Sequence, residues 1–179
     1  MDPNLSSPAE EPNDKLYVAM SDDLGLARVH GRGSYKISPI LKEFAERMLD
    51  SGRLQFVVNL KSCEGMDSTF MGTIAGISQR LTKAGGEKVI MTHVSEKLQN
   101  LMKTLGLTHL VQLQEHALED DPDDLTQLRE NQAPEASSLE SAEHILEAHE
   151  TLVEISPDNL SKFKDCLQFL REDVQNRKP

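Results

Sequence analysis

Tryptophan is absent from this 179-residue chain, and phenylalanine and tyrosine together make up only 4% of it. Without a dense Lys/Arg patch interleaved with rings there is no platform on which bases could stack, which excludes nucleic-acid binding by the usual single-strand route. Cysteine is almost absent too. Cys63 and Cys166 lie far apart with no C-x-x-C spacing, which excludes a zinc ribbon, a disulfide framework and a redox motif and predicts two reduced, ordinary thiols. No run of 18 apolar residues occurs, and residues 1–14 are acidic and Pro-rich without a hydrophobic stretch. The expectation is a cytoplasmic protein with neither a membrane span nor a secretory signal.

Catalytic patterns are equally thin. Gly31-Arg32-Gly33 lacks the third glycine of a dinucleotide loop and predicts a turn. The six histidines are scattered. His144 and His149 are five apart, not at the i, i+4 spacing of a metal pair on one helix face, so no metal site is expected and His149 is read as a helix-packing histidine. Cys63 and His93 have nothing to orient them as nucleophile and base, and there is no G-x-S-x-G elbow. The chain is therefore not expected to be an enzyme or to carry a cofactor.

Charge is abundant and unevenly placed. The formal net charge is −11. Residues 1–14 hold four acids and no base, residues 15–114 hold 13 bases against 9 acids, and residues 115–179 hold 17 acids against 6 bases. A flank of that sign either stays solvated or folds back on the mildly basic middle, and the weakness of exposed ion pairs favours solvation.

Hydrophobic periodicity divides the middle into alternating elements. Leu16–Met20 and Leu24–His30 read as strands joined by a turn at Ser21-Asp22-Asp23. Ser38-Pro39 reads as an N-cap with proline at the first helical position, followed by Ile40, Leu41, Phe44, Ala45, Met48 and Leu49 at helical spacing. Leu54–Leu60 is a nearly continuous apolar run, the pattern of a strand buried on both faces. A polar loop, Lys61–Glu64, follows it. Phe70, Met71, Ile74, Ile77 and Leu81 mark a helix ended by Gly85-Gly86, with Gly72 and Gly76 placed to bring it close to a sheet. Lys88–Thr92 is a further strand, Ser95–Leu105 a third helix and Leu110–Leu113 a last strand. Strands alternating with helices predict an α/β domain with a mostly parallel sheet and an antiparallel opening hairpin.

Beyond residue 114 the pattern changes. Residues 115–136 are acidic, contain Asp120-Asp121-Pro122-Asp123-Asp124 and read as a linker. Over residues 137–176, two apolar stripes, Leu139, Ala142, Leu146, His149, Val153 and Leu160, Phe163, Leu167, Leu170, Val174, predict an antiparallel helical hairpin, opened by a capping box at Ser137 and Glu140. Two helices alone bury little core, so the pair should dock on the body, dimerise or grip a partner.

The most informative stretch is Met66-Asp67-Ser68-Thr69-Phe70-Met71-Gly72, where the chain passes into a helix. A serine there can cap free N–H groups, its ordinary role, and a phosphate added to it would face those donors and the positive end of the helix dipole. The run VVNLKSCEGMDSTFMGTIAGI, together with Gly85-Gly86 and VSEKLQNLMKTLGL, resembles the STAS family, named for sulphate transporters and anti-sigma factor antagonists. The resemblance spans Leu16 to Leu113, and the extension after Glu115 has no counterpart in minimal antagonists. It implies an α/β STAS fold, with helices packed on a mostly parallel sheet, followed here by a C-terminal two-helix extension.

In the antagonist branch the serine after the aspartate is the phosphorylated residue, which implies Ser68 here. Asp67 would shape the acceptor and its interface, and Thr69 would be a secondary acceptor or N-terminal cap. The resemblance further implies partner switching: the unphosphorylated form binds an anti-sigma factor serine kinase and frees a sigma factor, phosphorylation reverses this, and a metal-dependent serine phosphatase resets it. Arg28, Arg32 and Lys36 would border the partner surface. Phe70 stands where many antagonists have glycine, which is expected to alter the surface beside Ser68. The extension is expected to dock on the body or build a homodimer. Other roles open to such a chain are a stressosome-like scaffold subunit and the accessory STAS subunit of a lipid-transport ATPase.

Overall fold

The computed structural model describes residues 14–116, 126–128 and 137–178. Among these residues six strands form one sheet in the order β5-β4-β3-β2-β1-β6. In chain order they are β1 (Lys15–Met20), β2 (Leu24–Gly33), β3 (Gln55–Met66), β4 (Val89–Thr92), β5 (Val111–Gln114) and β6 (Thr126–Leu128). β2 to β5 pair in parallel, whereas β1 pairs antiparallel with both β2 and β6. The helices are α1 (Ser38–Asp50), α2 (Ser68–Lys83), α3 (Glu96–Thr104), α4 (Ser138–Ile155) and α5 (Asn159–Arg177). The core runs from Leu16 and Val29 of the opening hairpin through Phe44 and Met48 of α1 to Ile74 and Leu81 of α2 and Met91 of β4.

Local chemistry explains most boundaries. Phe56, Val57, Val58 and Leu60 of β3 are all buried, as expected of a central strand with both faces covered. α2 stops where Gly85 adopts a positive φ of 89° and Gly86 N–H closes on the Leu81 carbonyl at 2.9 Å, freeing the chain to turn. Ser95 caps α3 by accepting Leu98 N–H at 3.3 Å. At α4, Ser137 and Glu140 form the reciprocal capping box, Ser137 N–H donating to Glu140 Oε2 at 2.6 Å and Glu140 N–H to Ser137 Oγ at 3.2 Å. Both cysteines are free.

Several expectations are corrected. β3 does not end at Leu60; it continues through the polar segment to Met66, because β2 also continues, past register shifts at Arg28/His30 and Gly31/Arg32, until Gly33 pairs with Met66. Lys61, Ser62 and Glu64 are exposed strand residues, and Gly31-Arg32-Gly33 is the bulged end of a strand rather than a turn. A polar strand whose backbone is satisfied by its neighbour carries no hydrophobic signal. Residues 126–128, inside the stretch read as linker, add an edge strand to β1. Ser38 is not an N-cap: Ile37 holds that position without a side-chain bond, and the Ser38 hydroxyl is buried.

The acidic hairpin does not stand apart in solvent. Leu152 joins the core, with Ile155 and Phe163 packed against it, and the Asn159 amide donates to the Leu105 and Leu152 carbonyls at 2.9 and 2.7 Å. Burial of Leu152 and satisfaction of these carbonyls outweigh what weak exposed ion pairs alone would provide. Phe70 does not alter the surface either. It is fully buried, and a Cβ at Gly33 would come within 2.6 Å of its ring. Gly33→Ala should therefore overpack this contact and cost about 1–3 kcal/mol; a urea midpoint equal to that of the wild type would show that the ring yields freely.

Candidate functional site

The site is built at the junction where β3 ends and α2 begins. Asp67 lies in extended geometry as the N-cap of α2. One carboxylate oxygen accepts Phe70 N–H at 2.8 Å and the other accepts Tyr35 N–H at 2.7 Å. Its own N–H donates to the Gly33 carbonyl at 2.9 Å. One side chain thus satisfies an orphan donor of the helix and clamps the loop after β2 against it. The cap is therefore Asp67, neither Ser68 nor Thr69. Thr69 is buried, and its carbonyl accepts the Thr73 hydroxyl at 2.8 Å.

Ser68, the first residue of α2, directs its hydroxyl to the extension. Its Oγ lies 2.9 Å from His149 Nε2 on α4, while His149 Nδ1 lies 2.8 Å from the Ile145 carbonyl. A carbonyl only accepts, so Nδ1 carries the proton, and in the neutral ring Nε2 accepts the Ser68 O–H. The ring is held edge-on to Phe163 at a centroid distance of 4.9 Å. The expected packing role of His149 holds, with a polar contact added.

His144 makes a second such contact. Its Nε2 lies 2.9 Å from Ser38 Oγ and 3.2 Å from Thr73 Oγ1. Thr73 donates to the Thr69 carbonyl and Ser38 to that of Tyr35, so both hydroxyl oxygens are left to accept from a neutral His144 Nε2–H. Burial, reinforced by the Lys42 charge, pushes His144 down from 6.5 to about 4. The two histidines both face inward despite their five-residue spacing, His144 reaching α1 and α2 and His149 lying between α2 and α5. No metal-ligating cluster occurs among the described residues.

The crossing of α2 and α4 explains Gly72. A Cβ there would fall on the Ala148 carbonyl oxygen, so this glycine admits a helix rather than the sheet; a Cβ at Gly76 would meet nothing. At the rim, Lys42 of α1 and Arg80 of α2 reach Glu147 of α4 at 2.5 and 3.0 Å, and Arg80 also pairs with Glu46 at 2.5 Å. Burial alone would raise the Glu147 carboxyl, but the Lys42 hydrogen bond and the two cations hold it below the ordinary range.

The basic residues divide. Arg32 and Lys36 are exposed and flank Tyr35, the residue clamped by Asp67; Arg32 N–H also donates to Asp14 at 2.9 Å. Arg28 pairs with Asn59, five residues back along β2 from Gly33, about 17 Å at the usual strand rise. Sequence reasoning missed His144, Ser38 and Thr73 as a hydrogen-bonded group. The only available signal was a histidine beside the apolar stripe of α4.

His144 makes stability depend on pH. Its proton is bound more readily in the unfolded chain, so stability rises with pH between about 4 and 6.5 and is lost on acidification through that window. Urea titrations from pH 7 to 4 should show a loss of up to about 3 kcal/mol from this group, much reduced in His144→Gln. Parallel profiles for the two proteins would remove His144 as the cause.

No family model and no curated protein matches the chain. Among solved structures it is similar to TM1081 of Thermotoga maritima, a candidate anti-sigma factor antagonist. The crystal structure shares 18% identity over 56% of this chain and 86% of that one, with a TM-score of 0.51. The NMR structure of TM1081 also shares 18% identity, over 55% and 78%, with a TM-score of 0.50. The unphosphorylated anti-sigma factor antagonist SpoIIAA shares 13% over 57% and 89%, with a TM-score of 0.49. The likeness to TM1081 is one of fold: this chain is an α/β protein with the STAS fold, carrying a C-terminal two-helix extension.

Proposed function

We propose that the protein is an anti-sigma factor antagonist that works by partner switching, with Ser68 as the phosphorylated residue. The observation that carries the reading is the placement of Ser68 at the first position of α2, immediately after the Asp67 cap. The residue stands in the first turn of the helix, at the positive end of its dipole, where a phosphate is locally tolerated. The fold shared with TM1081, a candidate antagonist, supports the same reading. Unphosphorylated, the protein binds an anti-sigma factor that is also a serine kinase and so releases a sigma factor. The added phosphate brings about −1.5 to −2 charges, which repel and desolvate at a packed interface, and a metal-dependent phosphatase removes them. ATP and metal belong to those partners. Asp67 positions the acceptor, Thr69 lines the helix start beneath it, Arg32 and Lys36 flank the contact, and Arg28 marks its far border.

A second reading, a STAS scaffold subunit that self-associates through its extension, is favoured by Leu160 and Phe169, which are 50% and 67% exposed on α5. Its mark would be a mass in solution of two or more chains.

Incubation with ATP and the candidate anti-sigma kinases encoded in the same genome should add one phosphate to the wild type and none to Ser68→Ala, read by intact mass and site mapping. A kinase that binds both forms equally and modifies neither would end the phospho-switch reading. Arg32→Glu should weaken kinase binding about tenfold or more with an unchanged urea midpoint; unaltered affinity would remove Arg32 from the contact.

A further inference from the structure

The face on which α4 lies is unlike a hydrophobic core. Toward α4 the body presents the Ser38, Ser68 and Thr73 hydroxyls, the bare backbone of Gly72, the Ile77 side chain, and the cations Lys42 and Arg80, the latter shared with Glu46. Of the hairpin, Leu152 belongs to the core cluster and Ile155 and Phe163 pack against its edge; Leu167, Leu170 and Val174 are buried on α5, outside that cluster. Such a surface can stand in water when uncovered, because hydroxyls and cations lose little by being rehydrated. The TM1081 fold matches 86% of its own chain to only 56% of this one, so the body's fold exists without a counterpart to the rest.

The helix seated on this face has a definite chemistry. α4 carries Glu140, Glu143, Glu147, Glu150 and Glu154. It sets Glu147 between Lys42 and Arg80, lays Ala148 across Gly72 and offers an imidazole to Ser68. It is an acidic helix on a basic, hydroxyl-bearing groove with a small residue at the crossing.

We propose that the α4–α5 hairpin is a displaceable cover over the Ser68 face, and that a protein partner gains this face by presenting an acidic helix that replaces α4. The proposal rests on the reading of Ser68 as a partner contact. Because the cover is tethered, it competes at a high effective concentration, so partner affinity is lowered by the fraction of molecules that are closed.

The test places spin labels on the exposed Cys166 and on Asp23→Cys in the full-length Cys63→Ser chain and measures their distance distribution by pulsed electron paramagnetic resonance. A single distance is expected with the native hairpin. Glu147→Lys combined with His149→Ala should add a longer, broader population. A synthetic peptide of residues 138–155 should enlarge that population, and its Glu147→Lys form should need about a tenfold higher concentration to do so. Should the double variant fail to fold, His149→Ala alone is used. A single unchanged distance in every folded variant overturns the cover, and equal potency of the two peptides overturns the acidic-helix partner. None of these readouts involves a phosphate, so a failed kinase assay with a moving hairpin sinks only the phospho-switch, and a fixed hairpin with a phosphorylated Ser68 sinks only the cover.

Discussion

The arrangement around Ser68 depends on one carboxylate. Asp67 accepts Phe70 N–H with one oxygen and Tyr35 N–H with the other, while its backbone holds Gly33. These bonds fasten the end of β2, the loop toward α1, the end of β3 and the start of α2 at a single point. Carboxylates that accept backbone N–H groups make stronger bonds than neutral acceptors, and here the acceptor also sits at the positive end of a helix. Ser68 follows directly in sequence, so its position is inherited from the cap. Phe70, two residues on, is fully buried over Gly33 and locks the same junction from within.

On that fixed platform the extension adds a contact of a different kind. The body is held by a continuous apolar core, whereas α4 meets it through a glycine crossing, three imidazole–hydroxyl bonds and ion pairs at the rim, with Leu152 its one fully buried core residue. The rim pairs are partly exposed and contribute little individually. The buried imidazole of His144 needs to stay neutral to remain in place, which links the seating of the hairpin to proton concentration. Strong geometry with modest energy is what a face shared between two occupants requires.

Much of this architecture is legible in the residues. The apolar run Leu54–Leu60 announces a central strand, the periodicity of Phe70 to Leu81 announces α2, and Ser137 with Glu140 announces the start of α4. Elements whose evidence is not apolar are hidden. The polar end of β3 becomes a strand only because β2 lies beside it, and the three residues of β6 acquire their role only from β1. Gly72 looks like a residue for close packing, yet nothing local says whether a sheet or a helix approaches it.

Sequence alone determined the α/β order, the main helices and strands, and Asp67-Ser68 at a helix start, because hydrophobic period and capping chemistry act over a few residues. Tertiary structure alone decided that His149 meets Ser68, 81 residues away, that His144 joins Ser38 and Thr73, and that the acidic hairpin lies on α2 rather than in solvent. The physical reason is that hydrogen bonds and helix crossings depend on which surfaces are brought together in space. Such a juxtaposition leaves no period in either partner's sequence.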